Sequence, residues 1–167
     1  MEGMAELASA KSLPLVAALG ELPPAVLGDP VRIAQILYNL LSNAIKFTAE
    51  GSVQLRVEAS AGELQFHVVD TGPGIAAEHI PRLTERFYRV DRGRSRETGG
   101  TGLGLAIVKH VAQRHGAQLL IDSMLGRGSR FAIRFPATRV REKVSAVRLS
   151  REATTPSLRR EPPSLTV

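Results

Sequence analysis

The sequence predicts an α+β fold in which helices cover one face of a sheet. Two segments carry apolar residues at helical spacing, within 31–47 and within 103–115. Shorter segments with alternating apolar residues come in hairpin pairs rather than in strict strand–helix–strand order. No internal repeat is visible in the sequence. Together these patterns favour a sheet with a layer of helices on one side.

The first helix is the most clearly marked element. Leu13–Leu19 reads as an edge strand, and the loop ELPPAVLGD follows it. Asp29 is placed to cap a helix over Val31–Phe47, and Pro30 suits the first helical position. Residues Met1–Lys11 read as the end of a preceding helical segment.

The middle of the chain reads as a hairpin followed by a break. Strands over Val53–Val57 and Leu64–Val68 flank the turn Ala61-Gly62. The stretch DTGPGI at Asp70–Ile75 interrupts any regular element. Ala77–Leu83 is then predicted to be a short helix.

The last elements are a helix and a second hairpin. Leu103–His115 is predicted to be helical and to end at Gly116. Strands over Leu119–Asp122 and Phe131–Phe135 follow, joined by the turn LGRG.

Composition excludes several classes of protein. Of the 167 residues 43% are hydrophobic, which suffices for a core, and cysteine is absent, so no disulfide or thiolate metal site can form. We expect a soluble, cytoplasmic chain, since no apolar run reaches the roughly 20 residues of a membrane span.

The positive charge is concentrated at the end of the sequence. The net charge is +6, and residues 137–167 contribute seven basic and three acidic side chains to it. The remainder is nearly neutral and has few aromatic residues, which argues against nucleic-acid binding. We therefore predict a linker or helical remnant at 1–12, a folded domain at 13–136 and a disordered basic tail at 137–167.

A glycine-rich stretch opens the second helix. Residues 99–107 read GGTGLGLAI. The start of a helix offers unpaired N–H groups and a positive dipole end, and glycine lets phosphate oxygens approach the backbone. A flexible loop or close helix packing would also explain the glycines. The stretch is not a Walker A loop, because no Lys-Ser/Thr pair follows it.

The first helix carries a polar stripe within NLLSNAIKF. Asn39, Asn43 and Lys46 fall on one side of the helix. Their amide oxygens and positive charge suit Mg²⁺ and phosphate, although a solvated helix face is the plainer interpretation.

The stretch DTGPGI offers a second set of candidate ligands. Asp70 follows a strand and can accept a hydrogen bond from an exocyclic amine, while Gly72 and Gly74 leave room for a planar base. A simple Asp-Gly turn is the alternative.

Taken in order, NLLSNAIKF, DTGPGI, ERFYRV and GGTGLGLAI resemble the N, G1, F and G2 boxes of sensor histidine kinases. These belong with gyrase, the heat-shock chaperone and the mismatch-repair ATPases. The resemblance covers about 13–136 and implies a Bergerat-type two-layer α/β sandwich, with a mixed, mostly antiparallel sheet, that binds ATP and Mg²⁺ under a lid.

The resemblance also assigns roles to individual residues. Asn39 and Asn43 would hold Mg²⁺ and the phosphates, Lys46 a phosphate, and Asp70 the adenine amino group. Phe87 would anchor a lid formed by residues 92–101. The remaining implied nucleotide contacts are Phe47, Gly72, Gly74, Ile75, Gly100, Thr101, Gly102, Leu103, Gly104, Leu105 and Ser129, with Arg86, Arg89, Arg92, Arg94 and Arg96 as ambiguous lid residues.

The residues favour phosphoryl transfer over hydrolysis. Hydrolysing relatives carry a Glu four residues before the shared Asn, where this chain has Asn39, and an amide cannot take a proton from water. None of His67, His79, His110 and His115 precedes the N box or has the setting of a phosphoacceptor. The implied partners are therefore a separate dimerisation and phosphoacceptor-His domain and a response regulator receiver domain.

Other interpretations remain open at this level. An anti-sigma-like regulatory kinase module or a non-catalytic nucleotide-binding domain would share these motifs. The first half resembles hybrid sensor kinases and the second half the phosphate-regulon sensor kinase, which natural variation or an engineered chimera would explain. We expect a monomer when isolated, without membrane contact, from a kinase that is itself membrane-bound.

Overall fold

The structure is a computed structural model that describes residues 2–90 and 101–141. Within these residues, one sheet contains five strands: β1 (Leu15–Leu19), β3 (Val53–Ser60), β4 (Glu63–Asp70), β5 (Gln118–Met124) and β6 (Gly128–Phe135). Their order across the sheet is β1-β3-β4-β6-β5. Strand β1 is parallel to β3, and every other neighbouring pair is antiparallel.

In the described part of the chain, three α-helices complete the sandwich: α1 (Glu2–Ser9), α2 (Pro30–Phe47) and α3 (Gly104–Arg114). Helices α2 and α3 pack against each other and against the sheet. Between them lies the core, which is built from one face of α2, the inner face of β3 and the inner residues of β6, such as Leu40, Val53 and Phe135. The predicted α+β sandwich is confirmed.

Helix α2 begins and ends as its sequence dictates. The Asp29 carboxylate accepts hydrogen bonds from the backbone N–H groups of Val31 and Arg32, at 2.9 and 3.2 Å, and so caps the helix. At the other end, the Lys11 ammonium donates to the carbonyls of Ile45 and Lys46 at 2.9 and 2.8 Å. The segment that precedes β1 thus secures the end of α2, next to its polar stripe.

Two local predictions need correction. Ala77–Leu83 forms turns and a three-residue 3-10 helix, Ile80–Arg82, rather than an α-helix. The predicted loop before α2 contains a short strand, β2 (Ala25–Val26), because it pairs with β7 (Val140–Arg141). The ordered chain therefore continues past Pro136, through the 3-10 helix Ala137–Arg139, to β7.

The packing of Val140 against the hydrophobic core accounts for the ordered structure beyond Pro136. Residues 142–167 lie outside the described part, and the disorder predicted for them stays a prediction. No helix within residues 2–90 and 101–141 is long and apolar enough to cross a membrane.

Candidate functional site

The polar stripe of α2 faces the start of α3. The Asn39 amide nitrogen donates to the Gln35 carbonyl at 3.0 Å, which fixes the orientation of the side chain. A Cβ on Gly104 would lie 3.3 Å from Asn39 Oδ1 and 3.9 Å from Asn43 Nδ2. Two of the predicted boxes therefore meet, and both amides lie beside the glycine that opens the second helix.

The start of α3 has the properties of an anion site. Leu103 occupies the position before the helix, and no described side chain caps it. The first backbone N–H groups of α3, at the positive end of the helix dipole, are thus available to an anionic ligand. Leu103 and Leu105 are half-buried, and Leu105 packs against the core. Thr101 is exposed, and Gly100 lies outside the described residues.

Lys46 lies further along the same stripe. Burial, and then the positive charge of Arg89, lower the pKa of its ammonium group. Two cations close enough to repel each other mark a position where an anion would be stabilised. The Lys46 nitrogen lies 5.1 Å from the centre of the Phe47 ring. Phe47 is 56% exposed, and its backbone carbonyl lies close to Gly72.

The other end of the site is built on Asp70. Its carboxylate is buried where β4 ends, and it accepts hydrogen bonds from the backbone N–H groups of Gly72, at 2.9 Å, and Ser129. Burial raises the pKa of Asp70, while the two backbone hydrogen bonds partly oppose that shift. The carboxylate is therefore fixed in position and poorly solvated, which suits an acceptor that must find an N–H donor on a ligand.

Gly72 packs tightly against this carboxylate, where no side chain would fit without a shift. A Cβ at Gly72 would lie 2.9 Å from Asp70 Oδ1, 3.2 Å from Thr48 Oγ1 and 3.3 Å from the Phe47 carbonyl oxygen. Thr48 is fully buried, and its hydroxyl has no hydrogen-bond partner among the described residues. A buried hydroxyl that lacks a protein partner, beside a buried carboxylate, is expected where a polar ligand or water supplies the missing hydrogen bond.

Sequence reasoning missed Thr48, although its place directly after NLLSNAIKF was a usable signal. It also missed Ser123, whose hydroxyl lies at the centre of a small network. Ser123 Oγ accepts from the Ile75 N–H at 2.8 Å, donates to the Gly128 carbonyl at 3.0 Å and lies 3.0 Å from Ser129 Oγ. This network holds Ile75 and Ser129 in place around Asp70.

Gly74 makes the loop possible. Its φ is +72°, and a Cβ there would collide with the Met124 carbonyl oxygen. No other residue type satisfies both conditions. The loop therefore lies in close contact with the end of β5.

Phe87 and Gly102 are hydrogen-bonded to each other across residues 91–100, which lie outside the described part. The Phe87 N–H donates to the Gly102 carbonyl at 3.0 Å, and a Cβ on Gly102 would lie 2.9 Å from the Phe87 backbone. Phe87 adopts a left-handed φ of +66° while its ring is 70% exposed. The contact that joins the two flanks of this segment is made by backbone rather than by the aromatic ring.

Of the ambiguous arginines, Arg89 lies close enough to Lys46 to lower its pKa. Arg86 lines a neighbouring cavity. Arg92, Arg94 and Arg96 lie outside the described residues.

The four histidines divide between structural and surface positions. His115 joins Asp29 to Val111 by hydrogen bonds through both ring nitrogens, and His79 is hydrogen-bonded to Tyr88. His67 is buried on β4, and His110 is exposed.

Mg²⁺ would depend on amide rather than carboxylate ligands here. Within the described residues no three His, Asp or Glu side chains cluster closely enough to hold a metal ion. Amide oxygens together with nucleotide phosphates are a common Mg²⁺ environment. The orientation of Asn39 towards the start of α3 fits such a shared site.

Comparison with known proteins shows the family of the chain. Residues 28–139 match the family described as histidine kinase-, DNA gyrase B-, and HSP90-like ATPase. The Pseudomonas aeruginosa phosphate regulon sensor protein PhoR is 48% identical over 116 residues, which cover 69% of this chain. The chain spans only about a quarter, 26%, of the length of that relative.

Solved structures extend the similarity to the fold. Full-length ShkA in complex with AMPPNP has a TM-score of 0.72 and 36% identity, over 81% of this chain and 28% of that one. The mycobacterial sensor histidine kinase MprB has a TM-score of 0.69 and 27% identity, over 85% of this chain and 93% of that one. The chain therefore belongs to the histidine kinase-, gyrase- and HSP90-like ATPase family, as an ATP-binding domain of the kind found in sensor histidine kinases.

Proposed function

We propose that this chain transfers the γ-phosphoryl group of ATP to a histidine on a separate dimerisation and phosphoacceptor domain. The observation that carries the proposal is the approach of Gly104 to Asn39 and Asn43, with the buried Asp70 carboxylate at the other end of the site. A nucleotide bound with its base at Asp70 and its phosphates at the start of α3 would use all of these groups.

Each residue has a role in this arrangement. Asp70 accepts a hydrogen bond from the adenine amino group and so selects the base. Lys46 and the first N–H groups of α3 hold phosphate oxygens, and Asn39 and Asn43 supply amide oxygens for Mg²⁺. Mg²⁺, held there by the Asn39 and Asn43 amide oxygens, would neutralise part of the phosphate charge. Positioning and charge stabilisation supply most of the catalysis in such a reaction.

The proposal also covers what this chain does not do alone. Asn39 has an amide side chain where hydrolysing relatives have a carboxylate. The Asn39 side chain therefore cannot activate water. Hydrolysis should therefore be slow, and the isolated chain, a monomer, should not label itself. In the whole kinase the phosphoryl group would pass from the acceptor histidine to a response regulator on the cytoplasmic side of the membrane.

Radiolabelled ATP tests the proposal. The chain is incubated with γ-labelled ATP and Mg²⁺, alone and with a separately produced acceptor domain from a histidine kinase of the family. We expect acid-labile, base-stable label on the acceptor domain only. Strong label on this chain alone, or rapid phosphate release from a preparation free of contaminating ATPases, would contradict it.

A further inference from the structure

The segment that precedes β1 contacts the end of α2 that lies beside Asp70. Lys11 comes two residues after α1 ends. Its ammonium group donates to the carbonyl oxygens of Ile45, Lys46 and Thr48, at 2.9, 2.8 and 3.4 Å. An ammonium group has three protons to donate, so these contacts can use all of them. One side chain therefore connects this segment to a run of backbone at the end of α2.

The Lys11 contacts do more than cap the helix. The last carbonyl groups of an α-helix have no N–H partner within the helix. The Ala44 carbonyl accepts from the Thr48 N–H at 3.0 Å, and Lys11 supplies the partner of each of the next two carbonyls along the chain. A lysine that caps a helix needs no more than this. The third contact goes beyond the helix, to the carbonyl of Thr48, the residue that follows α2.

The backbone that Lys11 holds lies beside Asp70. A Cβ on Gly72 would lie 3.3 Å from the Phe47 carbonyl oxygen and 3.2 Å from Thr48 Oγ1. The same Cβ would lie 2.9 Å from Asp70 Oδ1. Thr48 is fully buried, and its hydroxyl has no hydrogen-bond partner among the described residues. A shift of the backbone at the end of α2 would therefore move two polar groups relative to the Asp70 carboxylate.

The position of Lys11 is set by α1. Met4 and Ala8, on α1, are buried and belong to the hydrophobic core. A tight turn follows, in which the N–H groups of Lys11 and Leu13 both donate to the Ala8 carbonyl, at 3.1 and 2.9 Å. Ser12, within this turn, has a positive φ of +54°. Lys11 itself is exposed, so its ammonium group can leave the α2 carbonyls without opening the core.

We propose that Lys11 is a positioning residue for adenine, through which the docking of α1 sets the affinity of the Asp70 end for the base. The inference rests on the proposed function, which places the base at Asp70. With α1 docked, Lys11 holds the backbone of Phe47 and Thr48 in place. With α1 released, this backbone is free to shift, so adenine binds more weakly while the start of α3 still binds phosphate. Because such coupling is reciprocal, bound adenine in turn favours docked α1.

Ligands that carry only part of a nucleotide test the two ends of the site separately. Adenosine is uncharged and probes the Asp70 end, whereas inorganic tripolyphosphate with Mg²⁺ probes the start of α3. Both ligands, and ATP, are titrated into the full chain. Lys11→Met removes the charge and the donors but keeps a long side chain, while Lys11→Arg keeps both the charge and the donors. Lys109→Met is the matched control, because Lys109 is exposed and its ammonium group donates to Thr84 at 3.3 Å.

In Lys11→Met, we expect the affinities for adenosine and for ATP to fall about fivefold, with the affinity for tripolyphosphate close to that of the parent. A lost charge that acted through solvent would give the opposite pattern, since it would weaken the binding of tripolyphosphate and spare uncharged adenosine. Lys11→Arg and Lys109→Met should each keep adenosine affinity within about twofold of the parent value.

The role of α1 is tested from its own buried face. Met4→Lys places a charge at a buried position and should release α1, so adenosine affinity should again fall about fivefold. Adding Lys11→Met to this variant should lower the affinity no further, because both changes break the same contact. In the parent, saturating adenosine should slow hydrogen exchange of the α1 amides, and it should slow them less in Lys11→Met.

Unchanged adenosine affinity in Lys11→Met, or equal losses for adenosine and tripolyphosphate, would overturn the inference and leave Lys11 as a cap of α2. Losses in Lys11→Arg or Lys109→Met as large as that in Lys11→Met would also overturn it, as would additive losses from Met4→Lys and Lys11→Met. A parent chain that bound ATP but not adenosine would refute both the inference and the base placement at Asp70. Failure of γ-phosphoryl transfer, with the adenosine results as expected, would count against the proposed function alone.

Discussion

The two ends of the candidate site are built differently. At the Asp70 end, the acceptor is buried, its carboxylate is held by two backbone N–H groups, and a serine network fixes the strands around it. At the Gly104 end, the amides of Asn39 and Asn43 are only half-buried, and residues 91–100 of the sequence lie outside the described part. One end is thus formed by folded protein groups alone, while under the proposed function a metal ion and phosphates would complete the other.

This difference predicts separate roles for the two ends in nucleotide binding. The Asp70 end should select the base and should tolerate little change, because its groups are fixed by strands. The nucleotide affinity that the Gly104 end contributes should depend on the number of phosphates and on Mg²⁺. Variants at the two ends should therefore differ in which nucleotide property they alter, and not only in how much affinity they lose.

The largest effect is expected from Gly74→Ala. The added Cβ would collide with the Met124 carbonyl oxygen at a residue whose φ is already positive. Because the loop must move, ATP affinity should fall roughly 100-fold or more, as measured by titration calorimetry. Gly126→Ala is the matched control, since its φ is also positive, +75°, but a Cβ there meets nothing within 4 Å. Equal losses in the two variants would point to backbone strain alone.

Asp70→Asn should alter base selection. An amide can present the wrong group to the adenine amine, so ATP affinity should fall by about 1–3 kcal/mol, and the preference for ATP over GTP should shrink. Competition between the two nucleotides measures this. An unchanged preference would place the base elsewhere.

The same variant should not destabilise the chain at neutral pH. Burial raises the pKa of Asp70 in the folded state, so the folded chain holds this proton more tightly than the unfolded chain. The contribution of this carboxyl to stability is therefore present at low pH and is lost as the pH rises through its folded-state pKa. Asp70→Asn has no proton to lose, so it avoids this decrease in stability. Above the folded-state pKa of Asp70, the melting temperature of the variant should match or exceed that of the parent. At low pH it should not exceed that of the parent. A lower melting temperature at neutral pH would contradict this.

Asn43→Ala probes the opposite end. The loss of ATP affinity should again be about 1–3 kcal/mol, but only when Mg²⁺ is present. Affinity for AMP should stay unchanged, because AMP lacks the phosphates that share the ion. Titrations of ATP and AMP with Mg²⁺ or with a chelator separate these cases, and a Mg²⁺-independent loss would contradict the assignment.

Gly104→Ala should produce a smaller effect at the same end. A methyl group beside Asn39 Oδ1, at 3.3 Å, narrows the space for phosphate oxygens, and ATP affinity should fall by about 1 kcal/mol. Alanine favours the helix, so the melting temperature should not fall. Gly3→Ala, in α1 with open space around it, is the control and should leave ATP affinity unchanged.

The smallest effect is expected from Thr48→Val. Removing a buried hydroxyl that has no described partner should leave stability unchanged or raise it by up to about 1 kcal/mol, whereas ATP affinity should fall roughly threefold. Thr48→Ser keeps the hydroxyl and should retain most of the affinity. Unfolding and nucleotide titrations of both variants check this, and equal ATP affinity in Thr48→Val and the parent would remove Thr48 from the site.

The sequence was most informative where a local rule decides the structure. The cap Asp29 and the apolar spacing of α2 predicted that helix, and the alternation in β3 and β4 predicted their hairpin. Pairing between distant segments has no local signal, which is why the β2–β7 pair was missed. A 3-10 helix at Ile80–Arg82 likewise has too few residues for its spacing to differ from that of an α-helix.

The residue types of the candidate site could be predicted from the sequence, whereas the contacts between them could not. Asn39, Asn43 and Asp70 stood out because polar residues occupied otherwise regular patterns. Thr48 and Ser123 did not, because a single hydroxyl gains meaning only from what the fold places beside it. The backbone bond between Phe87 and Gly102 was equally hidden, since any residue can make it.

The most direct test of the central claim follows backbone amide resonances by NMR as nucleotides are added to the full chain. AMP alone should shift the resonances around Asp70 and Gly72 and leave those of Leu103 and Gly104 in place. ATP with Mg²⁺ should shift both sets. If AMP left the Asp70 region unchanged, or if ATP with Mg²⁺ never perturbed the start of α3, the nucleotide would not bind with its base and phosphates at these two ends.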